Sequence, residues 1–127
     1  MIAGAEYVLG RYLLAMLFAL GAVQKIANPA AVQTLLNNLN LPEWLVWPAM
    51  AFNAVAAILL VVDRHIRLTA RLLALYCVGT SFFHLVPSDP WQMSIFVKNW
   101  AISGGLLILA SHASGRSRNP ACTRELE

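Results

Sequence analysis

The chain has 127 residues, room for one domain, of which 59% are hydrophobic and only 12% charged, at a mean hydropathy of +0.64. A soluble domain carries roughly 25% charged residues, so this composition argues against a water-soluble globule and for a chain solvated by lipid. The net charge of +3 and pI near 9.2 come from scattered basic residues with no stripe interleaved with exposed aromatics, which argues against nucleic acid as a partner.

The first apolar run covers residues 7–26, with Arg11 and Lys25 near its two ends. No basic segment precedes it, so it reads as a retained span and not as a cleaved signal. Asn28-Pro29 follows, an N-cap residue before a proline at the first helical position. Val32, Leu35, Leu36 and Leu39 then recur at helical spacing, while Gln33, Thr34, Asn37, Asn38 and Asn40 fill the other side. That pattern predicts a short uncharged amphipathic helix at the membrane interface, ended by Leu41-Pro42. The second run, 44–62, holds no formal charge, and the charged turn Asp63-Arg64-His65-Ile66-Arg67 follows it. The third run is 66–86. Pro87-Ser88-Asp89-Pro90 turns it into the fourth, 91–111, which carries a lone Lys98.

Each run is close to the ~20 residues a helix needs to cross ~30 Å of hydrocarbon. None alternates as the strands of a membrane barrel would. The expected fold is therefore all-α, a four-transmembrane-helix bundle with a short amphipathic interfacial helix between spans 1 and 2. Residues 1–112 form the membrane domain and 113–127 a polar, disordered cytoplasmic tail. Leu126-Glu127 has the look of a vector remnant and carries no argument.

Arg64, Arg67, Arg71, Arg116, Arg118 and Arg124 fall on one side of a four-span chain, and only Lys25 and Lys98 fall near the other. The positive-inside rule then puts both termini in the cytoplasm of a multi-pass protein of the cell (inner) membrane. Trp44, Trp47 and Trp91 gather at the outer interface. The bilayer is the first partner this implies, with other membrane subunits or a second copy of the chain next.

Ionisable groups inside a span need a partner, a wet cavity or a route to the interface. On the first span Tyr7, Gly21 and Lys25 share a face with Arg11, and Gly21 would let a neighbouring helix approach. On the second, Ala49, Asn53 and Ala57 form a small-residue stripe. On the third, Cys77, Ser81 and His84 align, and on the fourth Gln92, Asn99 and Ser103, with Lys98 one step around and Gly104-Gly105 beneath. Lys25, His84, Lys98 and Asn99 fall in the outer half, where they could line a polar pocket. Snorkelling to the interface accounts equally for Arg11 and Lys25, and interhelical hydrogen bonding for Asn53 and Asn99. Cys77 and Cys122 lack any redox or metal-ligand spacing, so no metal is expected.

Gly10-Arg11-Tyr12-Leu13-Leu14 through Gly21 to Lys25 resembles the opening span of the DoxX family. The amphipathic segment, Asp63-Arg64, Phe82-Phe83-His84, and Phe96-Val97-Lys98-Asn99-Trp100-Ala101 with Gly104-Gly105-Leu106-Leu107 are similar to later parts of its pattern. The likeness runs from about Gly10 to Ala110. It implies a four-helix membrane protein, and a family named for a small subunit of a quinol oxidase or thiosulfate:quinone oxidoreductase. Many members carry Glu in the second span where this chain has Asn53, which removes a proton-carrying carboxylate.

Three function classes follow. The first is a small subunit of a respiratory or quinone-linked oxidoreductase complex, with His84, Lys98, Asn99 and Lys25 as the quinone-binding candidates and Arg11 and Asn53 as structural polar residues. Quinone carbonyls need hydrogen-bond donors in an apolar cleft, and a protonatable group near water can exchange the coupled protons. The second class is a non-catalytic accessory or assembly protein of a membrane complex. Small-molecule transport ranks last, because Glu6, Glu43, Asp63 and Asp89 all fall at span ends and none is buried in mid-membrane.

Overall fold

The computed structural model describes residues 2–118, and among these residues there are helices and turns but no strand. Four helices are long and apolar enough to cross a membrane: Gly4–Ala27, Glu43–Val62, Ile66–His84 and Pro90–Ala113. They coincide with the four expected runs. The chain divides into two compact units, one ending at Arg64 and the next beginning at His65.

The first unit is a helical hairpin. Helix α1 (Ile2–Ala27) packs on α3 (Val46–Val62), with α2 (Pro29–Asn38) and a 3-10 turn (Glu43–Leu45) between them. Arg11, Ala15, Phe18 and Ala22 of α1 are buried, at the spacing that puts every third or fourth residue on one helix face. Leu9, Leu13, Met16, Leu20 and Val23 are each more than half exposed. An apolar surface of that extent is a liability in water and ordinary in lipid. Helix α3 buries Val46, Asn53, Ala56, Ala57 and Leu60, and the small pair Ala56 and Ala57 lets a neighbouring backbone come close.

Helix α2 begins where the sequence places it, with Pro29 in its first turn, but the Asn28 side chain makes no capping hydrogen bond. The Asn28 N–H instead donates to the Gln24 carbonyl, 2.9 Å away, and continues the ladder of α1. The helix ends at Asn38 with Leu39 as its C-cap, and the chain turns at Asn40, two residues before Pro42. Asn40 takes a left-handed backbone (φ 57°), its N–H donates to Asn37 O, and the Leu41 N–H donates back to Leu36 O at 2.9 Å. Those two bonds satisfy carbonyls that the helix end would otherwise leave open.

The second unit packs α4 (Ile66–Ser81) against α5 (Pro90–Arg118), joined by a 3-10 turn (Phe82–His84). Helix α4 buries Ile66, Thr69, Ala70, Leu73, Ala74, Cys77 and Ser81. The Ser103 hydroxyl of α5 donates to the Ala74 carbonyl at 3.0 Å, a buried cross-link between the two helices. Gly104 and Gly105 meet nothing within 4 Å of where a Cβ would stand among the described residues, so the α4–α5 contact does not use this pair for close approach.

Two boundaries differ from expectation. The α-helical part of the third span ends at Ser81, and Phe82–His84 winds more tightly; at three residues per turn His84 stays in line with Ser81, three positions before it. The fourth span continues as helix to Arg118, into the segment expected to be tail. Extending a formed helix carries no nucleation penalty. Residues 119–127, Cys122 and Leu126-Glu127 included, lie outside the described residues.

Candidate functional site

The first hairpin holds two polar clusters. At the α3 end of the hairpin, Asp63 adopts a left-handed backbone (φ 58°) that turns the chain. Its Oδ1 lies 2.8 Å from the Arg11 Nη1 and accepts a hydrogen bond from the Tyr7 hydroxyl at 3.2 Å. The guanidinium sits over the rings of Tyr7 and Tyr12, 5.6 and 5.3 Å from their centroids. Arg11 is only 6% exposed, so it is paired inside the protein and does not extend to water as snorkelling requires. Nearer the other end of α1, the Lys25 ammonium donates to the Gly21 carbonyl at 3.3 Å. A Cβ on Gly21 would stand 3.3 Å from the Asn53 Nδ2 and 3.8 Å from the Lys25 Nζ. Gly21 thus provides the close approach expected of it. Asn53 is buried and its Oδ1 has no hydrogen-bond partner among the described residues.

The second hairpin carries the other candidates at its connecting end. The His84 Nδ1 lies 2.6 Å from the Gln92 Oε1, both side chains half-buried. Asp89 caps α5, its Oδ1 accepting the N–H groups of Trp91 at 3.0 Å and Gln92 at 3.4 Å. Lys98 is exposed and reaches back along α5, its Nζ 5.8 Å from the centroid of the Trp91 ring. Phe96 stands edge-on to Phe82, with centroids 6.4 Å apart, and 6.1 Å from Trp100. Asn99 is half-buried on α5.

Of the four quinone-binding candidates, His84, Lys98 and Asn99 therefore belong to one hairpin, and Lys25 to the other. Gln92 was legible only as a member of the Asn99–Ser103 face. The signal that locates it is Asp89-Pro90, a cap and a first-turn proline that put Gln92 in the first turn of α5. Chemically this end offers an imidazole held by an amide, an ammonium on an aromatic face, and three apolar rings. It can donate and accept hydrogen bonds beside a flat apolar group.

An apolar groove of about 340 Å³ runs along the first hairpin, lined among others by Tyr12, Met16, Ala57 and Val61. It holds no polar side chain besides the Tyr12 phenol. Three of the four acidic residues at span ends have local duties: Glu43 accepts from the Asn37 amide at 2.7 Å, Asp63 pairs with Arg11, and Asp89 caps α5.

The DoxX family model matches residues 7–86, from the α1 tyrosine of the Arg11–Asp63 cluster to just past His84. No curated protein and no solved structure matches the chain. The match covers more than half of the sequence and takes in three of the four membrane-length helices, so this integral membrane protein belongs to the DoxX family.

Proposed function

We propose that the chain is a small subunit of a quinone-linked oxidoreductase complex in the cell (inner) membrane, with both termini cytoplasmic. Its part is to hold the quinone head group at the connecting end of the α4–α5 hairpin. The observation that supports this reading is the 2.6 Å His84–Gln92 contact beside Trp91 and Lys98. A bound quinone would supply two-electron, two-proton chemistry, with the electrons exchanged at a redox centre of a partner subunit. His84 offers one hydrogen-bonding nitrogen and a proton-exchange route near water, and Lys98 offers a donor to a ring oxygen. Phe82, Phe96 and Trp91 provide apolar faces for the ring. Lys25 and Asn53 contribute to the packing of α1 on α3.

The test uses the complex in native membranes. His84→Ala and Lys98→Ala should each weaken quinone binding and slow quinone-dependent turnover at unchanged abundance. Unchanged binding and turnover in both would remove this reading.

One set of observations favours a second reading, an accessory protein that assembles another complex. Arg11 and Lys25 each have a protein partner within their own hairpin, as expected if the polar groups serve packing alone. Purification from native membranes separates the two: a stable partner enzyme with no quinone retained on this chain favours assembly.

A further inference from the structure

We infer that Gln92 is a positioning residue that fixes the tautomer of His84 and so makes this end of the hairpin select the hydroquinone over the quinone. The inference rests on the quinone reading above and names the redox form that the site takes. With the amide oxygen toward the ring, the His84 Nδ1 carries the proton and donates it to Gln92 Oε1. Nε2 is then left with a lone pair and accepts hydrogen bonds. A hydroquinone hydroxyl can donate to such a nitrogen, whereas a quinone carbonyl can only accept and finds no donor there.

The backbone around the pair fixes its geometry. The Leu85 N–H donates to Phe82 O, Val86 N–H to His84 O at 2.9 Å, and Asp89 N–H to Val86 O at 3.0 Å, so the connection is a succession of tight turns. Pro90 in the first turn and the Asp89 cap hold the helix start from which Gln92 projects. Between His84 and Asn99 the chain carries two charged groups, Asp89 and Lys98, and each has its own contact. Asp89 is engaged by the Trp91 and Gln92 N–H groups, and the Lys98 ammonium lies over Trp91. The group that orients His84 is therefore a neutral amide. Unlike a carboxylate it brings no charge to the ring, and in the Nδ1–H tautomer Nε2 is the acceptor.

The experiment uses the full chain in lipid nanodiscs, with a short-tailed benzoquinone and its hydroquinone as probes, the latter under anaerobic conditions. Nitrogen-15 spectra of His84 report the tautomer without any ligand: Nδ1–H in the native chain, a mixture in Gln92→Leu. The native chain should bind the hydroquinone roughly tenfold tighter than the quinone, the size of one net hydrogen bond. Gln92→Leu should bring the two affinities together. Gln92→Glu, which keeps the contact but favours the protonated ring, should turn the preference toward the quinone. If both forms bind equally in a His84-dependent manner, or His84 carries its proton on Nε2, the inference is overturned while the quinone reading stands. If His84→Ala changes the binding of neither form, the quinone reading itself falls and takes this inference with it.

Discussion

Arg11 shows how a charge persists inside a membrane helix. Its guanidinium is buried at the α1–α3 contact, where it meets Asp63 at 2.8 Å and the faces of Tyr7 and Tyr12. Removing one partner of a buried pair strands the other, which costs about 3 kcal/mol or more; the Asp63 side chain is 37% exposed, which favours the lower figure. Asp63→Ala should accordingly lower the thermal stability of the detergent-solubilised protein by about 3 kcal/mol. The double variant Arg11→Met/Asp63→Leu should lose less than Asp63→Ala alone, and a larger loss in the double would show the pair to be net stabilising. Gly21 gives a second residue-scale expectation. An alanine there gains about 1 kcal/mol of helix propensity, but its Cβ presses on the Asn53 amide at 3.3 Å. Gly21→Ala alone should therefore be close to neutral. In an Asn53→Ala background the same change should stabilise by about 1 kcal/mol, read from paired melting curves.

At the scale of elements, three non-glycine residues among those described take left-handed backbones: Asn40, Asp63 and His65. Each ends or begins a helix at a tight corner. Asn40 ends α2 with two return hydrogen bonds, and a β-branched side chain is strained in that conformation by roughly 1–2 kcal/mol. Asn40→Val should lower the melting temperature, whereas Asn40→Gly should hold or raise it; equal effects of the two would argue against a backbone cause. Asp63 stands where glycine would be easier, because only its carboxylate can meet Arg11. The amphipathic spacing of Val32, Leu35 and Leu36 was legible in the sequence, since it depends on neighbours three and four residues apart. The end of α2 was not, because Asn40 and Pro42 both stop a helix and only the folded corner shows which does. The close of the third span was missed for a related reason. Phe82-Phe83-His84 continues an apolar run, and hydropathy does not distinguish a 3-10 turn from an α-helix.

At the scale of the whole molecule, four membrane-length helices and the spread of basic residues set up a test of the proposed orientation. In a chain with Cys77 and Cys122 replaced by serine, Ser88→Cys should react with a membrane-impermeant maleimide on intact cells. Arg64→Cys should react only after the membrane is opened. The reverse pattern would invert the topology and move the His84–Gln92 end to the cytoplasmic side.

The sequence by itself determined that the chain crosses a membrane four times and which polar residues are costly there. Hydropathy and helical period are sums over near neighbours, and each span satisfies its own backbone hydrogen bonds. Its short motifs also carried the family resemblance. Tertiary structure alone decided which polar residues meet: Arg11 with Asp63 fifty-two positions away, Gly21 with Asn53, and His84 with Gln92 across a turn. Those pairings depend on how a corner aims its side chains. A left-handed residue or a tightened turn sets that aim through backbone angles that the pattern of apolar residues does not encode.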